Sequence, residues 1–85
     1  MASYSLLIKP SARKELAALP KRDRVKIVQQ IQALSDEPRP AGCEKLSGRE
    51  QYRIRRGSYR VAYAIEDGGK VVLVIKIAHR KEAYR

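Results

Sequence analysis

The sequence predicts one α+β domain over residues 1–85: an N-terminal strand, a two-helix hairpin, then an antiparallel β-meander, with the helices packed on one sheet face. Three observations carry this. The stretch from Tyr52 to Tyr63 alternates apolar and basic residues on both sides of Gly57-Ser58, the pattern of a β-hairpin with one apolar and one arginine face. The segment beginning near Lys21 carries its apolar residues at helical spacing instead. A chain of 85 residues is long enough for one lean core and too short for two.

Each element follows in order. Ser3 to Lys9 reads as the first strand, with Tyr4, Leu6 and Ile8 on one side. Pro10 ends it, and Pro10-Ser11 opens a helix with Ala12, Leu16 and Leu19 at helical spacing. Pro20 interrupts that helix. A second one begins near Lys21, with Val25, Val28 and Ile31, joined by Ile27 and Leu34, as its apolar stripe. The near-direct junction makes an αα-hairpin. Pro38 and Pro40 stop the second helix near Asp36. Glu37 to Cys43 is a loop, and Lys45-Leu46-Ser47-Gly48 a short edge segment and turn. The arginine hairpin runs from Tyr52 to about Glu66, and Asp67-Gly68-Gly69 is a second hairpin turn. Val71 to Ala78 is the most apolar strand and is expected to be central. His79 to Arg85 is a short basic tail carrying Tyr84.

Gly at the first position of a two-residue turn suits type II′ geometry. With Gly57-Ser58 as the turn, Arg56 lies opposite Tyr59, Arg55 opposite Arg60, Ile54 opposite Val61 and Arg53 opposite Ala62. Tyr52, Ile54, Val61 and Tyr63 then share the core face, and Arg53, Arg55 and Arg60 share the other, open one. Directly opposed like charges destabilise a strand pair, so a sheet that sets arginine against arginine calls for a compensating partner, and a polyanion fits. Solvated strand arginines are common, and Tyr52, Tyr59 and Tyr63 are accounted for by packing. Lys76 shares a face with Ala78 and Arg80; it either joins the basic surface or snorkels. His79 is either a structural hydrogen-bonding residue or a proton-transfer group.

Composition narrows the function. The formal net charge is +10, from 19 Lys+Arg against 9 Asp+Glu. Such an excess favours nucleic acid, an acidic protein partner, or both in turn. No segment reads as a membrane span or a signal peptide; the longest apolar run, Val71 to Ile75, is far too short. Cys43 is the single cysteine, which fits a reducing cytoplasm and reads as a tolerated loop residue. One His and one Cys cannot build a structural zinc site, no phosphate-cradling Gly-rich loop is present, and no cofactor is expected. The remaining chemistry is cationic. Guanidinium groups bind phosphate bidentately, stay charged and can stabilise a pentavalent phosphorane without a metal.

Several motifs, in order, resemble the RelE/ParE toxin superfamily. These are Pro10-Ser11-Ala12 with Leu16-Ala17-Ala18-Leu19-Pro20, Lys45-Leu46-Ser47-Gly48, Tyr52-Arg53-Ile54-Arg55, Gly57-Ser58-Tyr59-Arg60-Val61, and Ile77-Ala78-His79-Arg80 with Tyr84-Arg85. The resemblance spans essentially the whole chain and implies a toxin of a type II toxin–antitoxin pair. In its RelE branch it implies a metal-independent, ribosome-dependent mRNA endonuclease whose cognate partner is a RelB-like antitoxin, an acidic or amphipathic protein covering the basic face. The site residues it implies are Arg53, Arg55, Arg60 and Arg80, with Tyr84 stacking on a base. Lys45, Arg56, Lys76, His79, Lys81 and Arg85 are the further residues expected to contact RNA. Some members of that branch carry lysines where this chain has Arg53 and Arg55. An arginine, with a pKa above about 12, is a poor general base, so charge stabilisation carries over to these positions and proton abstraction does not. His79 and Tyr84 are the remaining proton-transfer candidates. Two alternatives stand beside this: a ParE-like inhibitor of DNA gyrase, and an RNA-binding relative without chemistry.

Overall fold

Proline placement sets the first third of the chain. In the computed structural model, which describes residues 3–46 and 50–79, β1 (Ser5–Ile8) stops just before Pro10, and α1 (Pro10–Ala17) starts on it. Proline has no N–H to lose at a first helical position and its φ is already helical. Pro20 is instead the N-cap of α2 (Lys21–Ala33), extended at ψ 145°, with its carbonyl accepting the Arg24 N–H, so the two helices meet across a three-residue link at 18–20. Pro38 follows α2, and the chain then runs through a loop to β2 (Glu44–Lys45), β3 (Gln51–Arg56), β4 (Tyr59–Glu66) and β5 (Val71–His79).

The five strands form one sheet in the order β1-β5-β4-β3-β2. The meander from β2 to β5 is antiparallel throughout, as the sequence predicts. β1 pairs parallel to β5, from Ser5↔Val71 to Ile8↔Val74, which makes the sheet mixed. The helix pair carries the chain across the sheet to β2 at the far edge, and the meander returns it to β5 beside β1. β5 is internal as expected, but β4 occupies the middle of the sheet.

The arginine hairpin has the predicted register, with Arg56↔Tyr59, Arg55↔Arg60, Ile54↔Val61 and Arg53↔Ala62. φ is +59° at Gly57 and not positive at Ser58, as a type II′ turn requires. The second turn lies where the sequence places it, between β4 and β5. Its left-handed residue is Lys70, at φ 53°, and neither Gly68 nor Gly69 has a positive φ. Those glycines provide room: the Gly69 N–H donates to both Glu66 carboxylate oxygens, and a Cβ at either position would stand 3.0 Å from one of them.

A bulge in β5 corrects the simple alternation. Tyr63 pairs with Val74 and Ala62 with Lys76, leaving Ile75 as the extra residue. Val72, Val74 and Ile77 therefore all face the helices and are buried. They meet Tyr52, Ile54, Val61, Tyr63 and Ile65 from the neighbouring strands, and Ala12, Ile27, Ile31 and Leu34 from the helical layer. Val25, expected in the α2 stripe, is 47% exposed. Ile27, Ile31 and Leu34, at i, i+4 and i+7, define the buried face, and Val25 lies two residues off it.

A polar clamp at one end of the sheet holds the long loop to it. Arg39 donates from Nη1 and Nη2 to Asp67 at 3.2 and 2.9 Å, from Nε to the Tyr52 hydroxyl at 3.0 Å, and from Nη2 to Glu50 at 3.5 Å. Its guanidinium also lies 5.1 Å from the Tyr52 ring centroid. The Tyr4 hydroxyl donates to Asp67, and the buried Tyr63 hydroxyl donates to the Pro38 carbonyl at 2.7 Å.

These contacts set an acid limit on stability. Arg39, then Tyr4, hold Asp67 below the ordinary carboxylate range; Lys45, then Tyr52, do the same for Glu50. The unfolded chain therefore takes up these protons first, at about pH 4. Stability is fully present above that point and declines as pH falls through the lower folded values. The urea midpoint should be flat from pH 7 to about 5 and fall below about 4. In Arg39→Met the acid-dependent part of the fall should shrink, because Asp67 then titrates nearer its unfolded value; an unchanged fall would show that the clamp does not carry it.

Candidate phosphate-binding site

The period-two pleat that buries Tyr52 and Ile54 turns Arg53 and Arg55 to the opposite face. There they meet an acid that sequence reasoning missed. Glu44 lies directly across from Arg53 in the β2–β3 pair. Its Oε1 accepts from Arg53 Nε at 3.3 Å and Nη2 at 3.2 Å, and stands 3.5 Å from Arg55 Nη2. The sequence gives Glu44 no mark, since its register depends on the length of the β2–β3 connection.

Arg60 sits opposite Arg55 on one side and Ala78 on the other. It was expected on an open face, but only 8% of it is exposed. The physical reason begins with position: β4 is the middle strand, so a long side chain there lies among neighbours from both flanking strands. Arg53 is half-buried and Arg55 exposed, so the three guanidiniums differ in exposure, Arg60 least and Arg55 most.

Lys76 shares this face, opposite Ala62, and pairs with Glu15 of α1 at 2.8 Å. The other Glu15 oxygen accepts the Ile77 N–H at 2.9 Å, where β5 has run past the end of β1 and its edge would otherwise lack a partner. Burial alone would raise the Glu15 carboxyl; Lys76 and that N–H outweigh it and hold it below the usual carboxylate range.

Two predicted residues lie on the helix side instead. Arg56 and His79 flank Tyr59 in one row of the sheet and line a cleft of about 440 Å³ with Asp23, Lys26 and the Gly57-Ser58 turn. The Tyr59 hydroxyl donates to Asp23 at 3.1 Å, and its ring meets His79 edge-on at 5.4 Å. Lys26 and Asp23 were not singled out in the sequence, because nothing in α2 alone shows that its N-terminal turns reach the hairpin tip. Lys45 belongs to neither group; it pairs with Glu50 at 3.3 Å, next to the Arg39 clamp. Arg80, Lys81, Tyr84 and Arg85 lie outside the described residues.

The arrangement can bind phosphate by charge and by the guanidinium fork. Among the described residues no group of three or more His, Cys, Asp or Glu could hold a metal. Tyr63, pushed up above all by burial, is no proton-transfer group near neutral pH. No described helix is long and apolar enough to cross a membrane.

A family model described as "ParE toxin of type II toxin-antitoxin system, parDE" matches residues 6–84. The chain belongs to the RelE/ParE superfamily of type II toxins. Toxin RelG of Mycobacterium tuberculosis is 33% identical to this toxin over 96% of this chain and 97% of its own length. Toxin RelE of the same organism is 34% identical over 96% of this chain and 87% of its own. The fold agrees: the RelBE2 toxin–antitoxin complex of M. tuberculosis has a chain with a TM-score of 0.81 at 30% identity, covering 92% of this toxin and 99% of that chain. The intact E. coli RelBE complex gives 0.81 at 25% identity, covering 91% of this toxin and 96% of that chain.

An anion titration tests the site. Among the described residues the ion pairs of Arg53 and Arg55 end on one shared, exposed carboxylate, whereas Arg39 donates to three acceptor side chains. Added sulfate should shift the side-chain Nε–H resonances of Arg53 and Arg55 in ¹H–¹⁵N spectra and leave that of Arg39 in place. Equal shifts for all three would mean that the arginine face has no particular affinity for the anion.

Proposed function

We propose that this toxin is a RelE-type mRNA endonuclease that acts on the ribosome. The observation that carries the reading is the Arg55–Arg60 pair, set directly opposite each other with Arg53 alongside on one sheet face. A phosphate between such groups relieves their repulsion, and its charge grows as a phosphorane forms. The substrate 2′-oxygen attacks the adjacent phosphorus, the P–O5′ bond breaks, and the products are a 2′,3′-cyclic phosphate and a 5′-hydroxyl. The 2′-hydroxyl loses a proton and the 5′-oxygen gains one. Arg53, Arg55, Arg60 and Arg80 neutralise the phosphorane oxygens, and Tyr84 stacks on a base. His79 and Tyr84 are the proton-transfer candidates, because an arginine stays protonated. Arg56, Lys76, Lys81 and Arg85 add RNA contacts. The relatives named RelE and RelG support this reading, and it places the toxin in the cytoplasm.

Several of the similar structures are complexes of a RelE with a RelB antitoxin or a peptide of it. By that likeness the partner here is a RelB-like antitoxin, which would cover the basic face and exclude RNA. The second reading, gyrase inhibition, is favoured by the parDE description of the matching family. The described arginine set argues for the first.

Primer extension on mRNA in a translating extract, beside a gyrase supercoiling assay, separates the two. The wild-type toxin should cut mRNA and leave supercoiling untouched. Arg60→Ala should lower cleavage by roughly two to three orders of magnitude, as loss of a transition-state charge contact does. Arg60 is buried, so Arg60→Lys, which keeps the charge and stem but loses the fork, serves as the folded control and should fall between. Tyr84→Phe should resemble wild type if stacking is the role, and Tyr84→Ala if the hydroxyl is. Full activity in Arg60→Ala would remove the reading.

A further inference from the structure

We propose that Glu44 is a built-in counter-ion: its carboxylate occupies the phosphate position on Arg53 and Arg55 and is displaced when a phosphodiester docks. The inference rests on reading the arginine face as a phosphate site, and adds the residue that sets how strongly the site discriminates among anions. One oxygen, Oε1, serves both guanidiniums, at 3.3 and 3.2 Å to Arg53 and 3.5 Å to Arg55. A single anionic oxygen shared between two guanidiniums is the geometry a non-bridging phosphate oxygen takes. The ion pairs of Arg53 and Arg55 among the described residues all end on this carboxylate.

The contact is placed to give way. β2 is two residues long and lies at the sheet edge, and the Glu44 side chain is 47% exposed. An exposed ion pair changes an equilibrium constant by no more than about fivefold. While it stands, two guanidiniums present one net positive charge instead of two. A lone small anion gains little by displacing it. A polyanion that also reaches Arg60 gains enough, because each further phosphate adds its own contact and releases its own counter-ions. Glu44 thus lowers the affinity for isolated anions and tempers the Arg55–Arg60 repulsion in the free toxin. Its role is to position and compete, and it needs no proton transfer.

The test is binding without cleavage. A fluorescent single-stranded 2′-O-methyl oligoribonucleotide, which has no 2′-hydroxyl to attack with, is titrated by anisotropy across a series of KCl concentrations. Glu44→Gln keeps the shape and removes the charge. It should bind about two- to fivefold tighter than wild type at the lowest salt. Its plot of log affinity against log salt should be steeper by about 0.7. Glu37→Gln makes the same change in net charge on the exposed loop after α2 and should keep the wild-type slope. Glu44→Asp retains the charge one methylene short of the two guanidiniums and should fall between wild type and Glu44→Gln. The inference is overturned if Glu44→Gln binds no tighter than wild type, if its slope matches that of Glu37→Gln, or if neither wild type nor Glu44→Gln binds. Ribosomal cleavage by the wild type is scored separately. Cleavage with no gain in Glu44→Gln binding sinks this inference alone, and tighter binding without wild-type cleavage sinks the endonuclease reading alone.

Discussion

The register of the β3–β4 hairpin is the constraint on which the rest of the molecule depends. Gly57 supplies the positive φ that a two-residue turn needs, and that turn sets Arg55 against Arg60 and Ile54 against Val61. A slip of one residue in either strand would send its apolar set to the solvent face and its arginines into the core. Both outcomes are costly, since a buried unpaired charge shifts its environment far more than a surface one. The buried tyrosines reinforce the register from the other side. Tyr52 and Tyr63 pair directly, their rings 5.9 Å apart, and each has a hydroxyl partner at the sheet's end: Glu50 for one and the Pro38 carbonyl for the other. The same alternation therefore builds the core and the basic face together.

This explains which parts were legible in the sequence. Alternation in β3 and β4 is local information, so the hairpin, its turn type and its four cross-strand pairs could be read residue by residue. The helices were legible because prolines bracket them. What could not be read depends on contacts between distant segments. The parallel β1–β5 pair depends on where the meander returns the chain. The Ile75 bulge depends on how β5 reconciles β4 on one side with α1 and β1 on the other. The burial of Arg60 depends on β4 being the middle strand, which strand content alone does not reveal. Glu44 and Lys26 were missed for the same reason: each joins its neighbours only through register or packing, and neither belongs to a recognisable motif.

The open sheet face also proved to be divided. Its basic end carries Arg53, Arg55 and Arg60, while the other end carries Leu7, 54% exposed, beside Leu73, Val71 and Ala64. Leu7 and Leu73 face each other across the parallel pair, out of phase with the half-buried Leu6 and its buried partner Val72. The alternating pattern in β3 and β4 gave no warning of this, because β1 and β5 are apolar on both faces. A face that is half guanidinium and half aliphatic offers a phosphate backbone and a protein side chain different footholds.

Excess cationic charge alone does not make a site; the disposition of the acids does. With 19 basic and 9 acidic residues, positive charge is available almost everywhere. Several of the described acids sit where they offset it or serve a local need. Glu50 and Asp67 neutralise Arg39, Glu15 neutralises Lys76 while closing the β5 edge, Glu66 accepts the Gly69 N–H of its own turn, and Asp23 takes the Tyr59 hydroxyl. Each of these holds structure and removes a charge or an acceptor from competition. Glu44 differs, since the strand behind it is two residues long and its partners are the arginines that face solvent. Among the described residues, the charge of Arg53 and Arg55 is offset by this one exposed carboxylate. Specific placement of a few acids among many bases turns a generally basic surface into one with a preferred point of attachment.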